Sequence, residues 1–386
     1  MRLLDRVAKI LHDRRHPGYT RHSFLDMLNQ RVFQIACGYE HADDVDTLRD
    51  DPVLKMAWER LPDGAALASQ PTLSWLENAV TRSDLYRIAE VLAEAFIESY
   101  RTPPVGIVID VDGTADVTHG HQQLALFNAF YDESCYLPIH IYEGKRGKLV
   151  TTVLQPGKRP SGAEIVTIFK RIVRTIRKAW PEVIEFCEAK NLKYALGLTP
   201  NSVLREKAAS LTEEAELRFQ RGCRPVRIFG EFSYRAKSWA EDSRVVVKAE
   251  LNALGPNLRF VVTNLGCKSR CVAYEMIYSD RGRMEVLIKD HKTHLLSDQT
   301  SCHRFEANQF CLFLHSMAYI LLHALRRRHL QGMTWARAQF DTIRVQVLKI
   351  GARVRHLRTR IKVHLSTSYP WQAEWTKTWA SCRASS

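Results

Sequence analysis

The feature that most constrains this chain is a short apolar segment that ends in acidic residues. Val105 to Ile109 is followed by Asp110 and Asp112, and the chain then turns at Gly113-Thr114. Residues two apart on a strand project to the same face, so both carboxylates should leave the strand on one side. Two acids together at the edge of a core are costly unless a cation neutralises them. The pattern therefore predicts a divalent metal site at the end of this strand.

A second polar cluster lies far downstream. Tyr278, Arg281, Glu285 and Lys292 are separated by three, four and seven residues, a spacing that places them on one face of a helix. An ordinary surface helix with an Arg–Glu pair has the same spacing. A carboxylate flanked by cations also suits a metal ion surrounded by phosphates. Two metals held by carboxylates can clamp the oxygens of an in-line phosphoryl transfer. Together the two clusters predict a metal-dependent enzyme that acts on phosphates.

The charge balance narrows the class of partner. The 386 residues include 56 Lys and Arg against 42 Asp and Glu, which leaves a net charge of +14. A basic folded protein favours nucleic acid or an anionic membrane surface as its partner, although a basic enzyme with neither partner has the same composition. The longest apolar run, Phe310 to Leu325, contains His315 and is shorter than the roughly 20 residues that a bilayer requires. We expect it to be a buried helix, and we expect no membrane partner.

Cysteine usage and the N-terminus indicate a cytoplasmic protein. The chain opens with polar residues, so the sequence predicts no signal peptide. Nine scattered cysteines fit reduced thiols in a cytosol. Cys267 and Cys271 are close in sequence but have no matching downstream pair, which makes a zinc site there a weak prediction.

The texture of the sequence changes along the chain. Residues 1 to about 100 have a helical pattern, in which Asp51 and Ser83 are expected N-caps. From Pro103 the pattern favours strands at 105–112, 124–131, 136–142 and 148–154, then an amphipathic helix ending near Trp180, a helix at 182–190 and a strand at 193–198. Residues 201–264 are β-rich, and the helical pattern resumes near Val272. The tail carries basic residues that suit either DNA backbone contacts or a solvated face: Arg344, Lys349, Arg353, Arg355, Arg358, Arg360 and Lys362.

These motifs resemble a known family. Tyr278-x2-Arg281-x3-Glu285-x6-Lys292 is similar to the signature of the DDE transposases of bacterial insertion sequences, and the segment from Asp110 to His121 resembles their first-aspartate region in the group-1 branch. The segments 67–74 and 348–355 resemble that branch too. The resemblance covers nearly the whole chain in the expected order.

The resemblance implies a fold and an activity. It implies an α+β or α/β chain with a helical DNA-binding region (1–100), a ribonuclease-H-like catalytic core (101–200 and 265–386, the latter with the basic tail) and a β-rich insertion (201–264). It implies cutting and joining of double-stranded DNA at terminal inverted repeats, dependent on Mg2+ or Mn2+. It also implies a homodimer on DNA, acting at the nucleoid in the bacterial cytoplasm.

The resemblance also assigns residues. Asp112 is the expected first catalytic carboxylate because it directly precedes the Gly-Thr turn, with Asp110 as a close alternative, and Glu285 is the closing glutamate. All three are expected metal ligands. The expected DNA phosphate contacts are Tyr278, Arg281, Lys289 and Lys292. His119 and His121 are expected to satisfy hydrogen bonds in the turn, with DNA or metal contact as the alternative. Trp239 lies in a polar turn, where it either stacks on a displaced DNA base or packs in a hairpin.

One family element is missing from the sequence. The family carries a second aspartate at the end of a central strand, but no aspartate occurs between Asp132 and Asp242. The helix ending at Trp180 meets the next predicted helix with only Pro181 between them, which indicates an internal deletion of the strand. The sequence therefore leaves two alternatives: a DDE transposase that cleaves and transfers DNA strands despite this gap, or a catalytically dead derivative that binds DNA without cutting it.

Overall fold

The computed structural model describes residues 3–104, 107–179, 193, 195–198, 200–222, 224–236, 242–252, 255–266 and 282–384. The chain divides into two compact units. The first comprises Met1–Trp180 with Met284–Ser386, and the second comprises Pro181–Arg283. The helix predicted at 182–190, the Trp180–Pro181 junction, Trp239 and the Cys267–Cys271 pair lie outside the described residues.

The first unit is mainly helical. Its α-helices in the N-terminal half are Leu3–Ile10, Phe24–Ala36, Asp44–Leu48, Pro52–Ala57, Gln70–Ala79, Arg82–Glu98 and Gly162–Ala179. Its later α-helices are Gly282–Lys289, Phe305–Arg328, Phe340–Ile343 and Gln372–Ala384. Short 3-10 helices cover Pro17–Tyr19 and Thr334–Arg337, and π-helical turns cover Asp290–His294 and Arg344–Leu348.

The first unit also holds three antiparallel sheets. Its strands are β1 (Ile109–Gly113), β2 (Asp116–Val117), β3 (Leu126–Asn128), β4 (Glu133–Tyr136), β5 (Ile139–Glu143) and β6 (Lys148–Val153), with β11 (Ala352–Leu357) and β12 (Arg360–Leu365) near the C-terminus. The main sheet has the order β1-β5-β6. A small sheet has the order β2-β4-β3, and β11 and β12 form a hairpin.

The main sheet lies between two helical layers. Ile109 and Val111 pack with Ile139 and Ile141 in an apolar cluster shared with helices Arg82–Glu98 and Gly162–Ala179. Residues of the opposite face, such as Tyr142, belong to the largest core cluster, which includes the helices Gly282–Lys289 and Phe305–Arg328. The alternation of side chains along β1 therefore turns its apolar residues toward one layer and Asp110 and Asp112 toward the other.

The predicted strands near the site are partly confirmed. The 148–154 strand is present as β6, but the predicted 136–142 strand is divided into β4 and β5 at Leu137-Pro138. Proline has no amide hydrogen for the ladder, so a continuous strand through Pro138 is disfavoured. The predicted 124–131 strand is reduced to β3, which pairs with β4 in the small sheet and not with β1.

The long apolar helix Phe305–Arg328 forms the centre of the first unit. Its length and composition would allow it to cross a membrane, but 72% of its most apolar window is buried inside the fold, and no other such helix occurs in the described ranges. His315 Nδ1 bonds the Leu295 carbonyl (2.9 Å) and Ser316 Oγ pairs with Thr152 Oγ1 (2.8 Å). Burial with satisfied polar groups confirms the prediction of a core helix.

The second unit is built on one antiparallel sheet. Its strands are β7 (Ala195–Leu198), β8 (Val226–Tyr234), β9 (Ser243–Asn252) and β10 (Gly255–Thr263), in the order β7-β10-β9-β8. Helices Ser202–Lys207 and Ala209–Gly222 pack on it through apolar residues such as Leu204 and Ala215. The strand predicted at 193–198, which sequence interpretation assigned to the catalytic core, pairs with β10 in this sheet.

Candidate active site

The two aspartates of β1 lie on the sheet face that faces a helix. In the register of β1 with β5, Asp110 is opposite Tyr142 and Asp112 is opposite His140. Residues directly opposite in an antiparallel pair project to the same face. Tyr142 and His140 both contact His291, which follows the helix Gly282–Lys289. Asp110 and Asp112 therefore project toward the layer that also carries Glu285, while remaining partly accessible to solvent.

The Asp110 side chain lies close to the backbone of the β5–β6 turn. Its carboxylate lies against the Cα of the buried Gly144, in the turn between β5 and β6, and a Cβ at that position would overlap it. A larger residue at position 144 would therefore require the Asp110 carboxylate to move. Asp112 accepts a hydrogen bond from the Gly113 amide (3.1 Å). The predicted turn at 143–147 thus has a second effect, because it sets the position of the first acidic side chain.

Glu285 and Lys289 lie on a helix that changes its winding. The signature helix, defined here as Gly282–Lys289 with its π-helical continuation Asp290–His294, buries Met284 and Leu287 and exposes Glu285 and Lys289. Single π-helical turns within α-helices are often found at functional sites. The wider turn alters the face on which residues after Lys289 project, so the simple α-helical spacing does not fix where Lys292 points.

Lys292 connects the signature helix to the turn that follows Asp112. Its Nζ donates hydrogen bonds to Thr114 Oγ1 (3.2 Å) and to the Ala115 carbonyl. The same ammonium lies 3.4 Å from Asp116 Oδ1 and 3.8 Å from Asp298 Oδ2. The structure thus brings this signature lysine and the first-aspartate turn together, although they are about 180 residues apart in sequence.

Asp116 is the polar residue at this site that sequence reasoning did not select. It is buried, and its Oδ1 has no hydrogen-bond partner within the described residues. Burial raises the pKa of Asp116 to about 7, against the stabilising charge of Lys292, and the negative charge of Asp298 raises the pKa further. A signal was available, since Asp116 continues the Asp110–Asp112 alternation. Because the chain turns at Gly113, the sequence alone does not show whether the alternation of side chains continues to Asp116.

Two buried histidines lie beneath the acidic face. His140 Nδ1 and His291 Nδ1 are 3.2 Å apart, and the Tyr142 hydroxyl is 3.1 Å from the same His291 nitrogen. Burial lowers the pKa of His140 to about 3 and lowers the pKa of His291 well below its ordinary value. Both rings are therefore neutral at pH 7. The Tyr142 hydroxyl also lies 3.4 Å from the Leu287 carbonyl, so the tyrosine and the two imidazoles form one buried polar network. This network fixes β5 against the signature helix.

The two histidines of the turn, His119 and His121, lie at the surface. His119 and His121 are exposed, and the His121 carbonyl is bonded by His303 Nδ1 (2.9 Å). Gln122 links the same segment to the loop before the core helix by donating to the Thr300 carbonyl (2.8 Å). An open cleft of about 620 Å³ lies beside these residues, lined in part by His121 and Arg304.

The chemistry of the acidic groups fits a hard divalent cation. Carboxylate oxygens are the ligands that Mg2+ and Mn2+ prefer, whereas the buried Asp116 Oδ1 already faces the Lys292 ammonium at 3.4 Å. Asp110, Asp112 and Glu285 do not form a closed group, however. In the described part of the chain, they are not among the acidic or sulfur ligands that all lie within 4.8 Å of one another.

The comparison with protein families decides the identity. The whole chain, residues 1–386, matches the family described as transposase DDE domain, group 1. The chain belongs to the DDE transposases. A search of curated proteins finds no match. The family is that of insertion-sequence transposases, as the sequence resemblance predicted.

Three predicted DNA-contact residues of this transposase lie outside the described residues. They are Tyr278 and Arg281, which precede the signature helix, and Trp239 of the β-rich segment. Their roles stay predictions. Of the remaining predicted contacts, Lys289 is exposed, whereas Lys292 is directed toward Asp116 and is only partly exposed.

The basic tail of the transposase forms a hairpin with one cationic face. In the register of β11 with β12, Arg353 is opposite His364 and Arg355 is opposite Lys362. These four side chains therefore share one face, and all four are exposed. Arg344 does not join them. It is directed inward, where it donates to the His294 carbonyl.

Proposed function

We propose that this transposase binds element-end DNA as a duplex and that Asp112, Asp110 and Glu285 hold Mg2+ or Mn2+ for strand cleavage and transfer. The observation that carries the proposal is the contact of Lys292 with the Thr114–Asp116 turn. This contact joins the segment that bears Glu285 to the segment that bears Asp112. It supports the assignment of both carboxylates to one site.

Different residues of the chain would bind the metal and the DNA phosphates at such a site. Asp112 and Asp110 project from β1 beside the signature helix, where Asp110 is restricted by Gly144. The exposed Lys289 lies one helical turn after Glu285, where a cation can hold a DNA phosphate. The bound metal would supply charge neutralisation at the attacking and leaving oxygens.

The cationic hairpin face supports DNA binding at a distance from the acids. A two-stranded ribbon fits the major groove of duplex DNA, and four cationic or titratable groups on one face suit phosphate contacts. We propose that the hairpin contacts the element end and that the protein acts as a dimer on terminal inverted repeats, in the cytoplasm of a bacterium.

A second candidate function is DNA binding without cleavage. It is favoured by the absence of any aspartate between Asp132 and Asp242, the interval in which the family carries its second catalytic aspartate. Two carboxylate positions offer fewer ligands than a two-metal centre requires. A chain of this kind would bind element ends, or partner an intact copy, without cutting.

A cleavage assay separates the two candidates. Purified protein is incubated with Mg2+ or Mn2+ and a duplex that carries the terminal repeats, and 3′-hydroxyl ends are measured. Cleavage that falls to background in Asp112→Ala and in Glu285→Ala, but not in Glu206→Ala of the second unit, supports the active enzyme. Tight, repeat-specific binding with no cleavage in wild type supports the second candidate. Cleavage that persists in both carboxylate variants contradicts the assignment of the site.

A further inference from the structure

A group of potential metal ligands lies in the first unit, apart from the acidic site. It consists of Glu77, Cys302 and Cys311, and one donor atom from each lies within 4.8 Å of the others. Glu77 lies in the last turn of the helix Gln70–Ala79. Cys302 belongs to the loop before the core helix, and Cys311 is on the core helix Phe305–Arg328. Three separate segments thus contribute to one cluster.

We propose that this cluster is a zinc site, in which two thiolates and one carboxylate bind Zn2+ and fasten the 295–304 loop to the helical region. Zinc binds sulfur at about 2.3 Å in a tetrahedral arrangement, so two bound sulfurs stand about 3.8 Å apart. The Sγ atoms of Cys302 and Cys311 are 4.0 Å apart. This separation is close to the tetrahedral edge and far from the roughly 2.05 Å of a disulfide.

Charge balance supports a divalent ion at this place. Glu77 is buried and accepts from Arg31 Nε at 2.8 Å. Two thiolates and a carboxylate carry three negative charges, which Zn2+ and the Arg31 guanidinium neutralise together. Such neutrality matters for buried ionic groups because an uncompensated charge is costly there. An arginine bonded to a ligating carboxylate is also the kind of outer partner that orients a metal ligand.

The sulfur positions are already fixed by the fold. Asn308, one turn before Cys311 on the core helix, bonds both the amide (3.0 Å) and the carbonyl (2.7 Å) of Cys302. These two bonds hold the backbone of Cys302 beside the core helix, with its sulfur 4.0 Å from that of Cys311.

A zinc ion here would act on the loop that borders the active site. The 295–304 loop carries Asp298, which faces Lys292, and Thr300, whose carbonyl is bonded by Gln122. The cluster contains none of the proposed catalytic residues. We therefore assign the ion a structural role.

The first experiment measures metal directly. Full-length protein purified under reducing conditions should contain one zinc per chain, and Co2+ replacement should give thiolate-to-cobalt charge-transfer absorption. Cys302→Ser and Cys311→Ser should each reduce that absorption, because one thiolate is removed, and should weaken zinc binding by at least the roughly 10- to 100-fold loss typical of outer-shell partners. Cys37→Ser, a partly exposed thiol elsewhere, is the matched control. Zinc that is lost in a Cys267→Ser/Cys271→Ser variant but retained in Cys302→Ser would overturn the proposal.

A second experiment needs no variant and so does not depend on their folding. Wild-type protein is treated with iodoacetamide with and without Zn2+, and alkylated cysteines are located by peptide mass spectrometry. Protection of Cys302 and Cys311, but not of Cys37, supports the site. Equal labelling with and without Zn2+, or a Cys302–Cys311 disulfide in place of bound metal, contradicts it.

Discussion

The ammonium of Lys292 lies 3.4 Å from Asp116 Oδ1, and this pair joins the signature helix to the turn that follows β1. The lysine is one-quarter exposed and the aspartate is almost fully buried. The pair is therefore better shielded than a surface ion pair, and its loss should affect both stability and the geometry of the acidic face.

Lys292→Met should destabilise the protein by about 2 kcal/mol, because it leaves a buried carboxylate without its cation. In an Asp116→Asn background, Lys292→Met should lower the free energy of unfolding by less. The difference between the two losses is the coupling energy of the Lys292–Asp116 pair. Urea unfolding of the four proteins measures it. Lys289→Met, on the exposed part of the same helix, is the control and should change stability by less than about 0.5 kcal/mol. Equal costs in the two backgrounds would contradict the pairing.

Asp116 should make stability depend on pH in a particular direction. Its folded pKa of about 7 is above the ordinary 3.8, so between these values the folded state binds more protons than the unfolded state. The contribution of Asp116 to stability is then lost as the pH rises through this window. Relative to wild type, Asp116→Asn should be more stable at pH 8 than at pH 5, by an amount on the order of 2–4 kcal/mol.

The comparison with wild type is essential because buried histidines act in the opposite direction. Burial lowers the pKa of His140 and of His315 to about 3, so both destabilise the folded state as the pH falls below about 6.5. These groups are common to both proteins and cancel in the difference. Asp298→Asn removes a nearby negative charge and should therefore lower the pKa of Asp116. The pH range over which Asp116 changes the stability should become narrower. The same difference in stability at both pH values would show that Asp116 does not titrate in this range.

Gly144→Ala should displace the Asp110 carboxylate. The added methyl group would overlap that side chain, at a cost of about 1–3 kcal/mol in the free energy of unfolding. If Asp110 is a metal ligand, Mn2+ affinity measured by calorimetry should fall as well. Gly162→Ala, at the start of a helix with open space around it, is the matched control and should leave both quantities unchanged. Unaltered stability in Gly144→Ala would mean that the carboxylate moves aside freely.

Removing charge from the hairpin face should reduce the salt dependence of DNA binding. Each lost phosphate contact lowers the slope of log K against log salt by about 0.9, so Arg353→Ala/Arg355→Ala should reduce it by about 1.8 if both contact phosphates. Fluorescence anisotropy over a salt series measures the slope. Lys9→Ala, an exposed lysine on the first helix, should have little effect. An unchanged slope in the double variant would place the DNA contacts elsewhere.

The sequence predicted elements whose pattern depends on local alternation. The 226–234 strand has the predicted bounds, and the face of helix Arg82–Glu98 with Leu85, Ile88 and Leu92 is buried as expected. Ser83 is not its N-cap, however. Thr81 caps the helix and forms a capping box with Asp84. Both Thr81 and Ser83 have suitable side chains, and only the reciprocal bond from Asp84 decides between them.

The site was less predictable because its geometry depends on distant segments. The paired aspartates on β1 were readable from alternation alone. The restriction of Asp110 by Gly144 and the burial of Asp116 beside Lys292 depend on how β5 and the signature helix pack. The π-helical turn after Lys289 is a further reason, because α-helical spacing does not describe the residues within it.

Because β1 has one apolar face and one acidic face, its coding sequence cannot accept insertions or deletions of single codons. Adding or deleting one codon between Ile109 and Asp112 would exchange the sides of the strand, placing isoleucine and valine where acids now stand. The acids would then enter the apolar layer formed with Ile139 and Ile141. Substitutions that keep the alternation of apolar and acidic residues along β1 can therefore be tolerated. An insertion or deletion of one residue would disrupt both the packing of the strand and the position of its carboxylates.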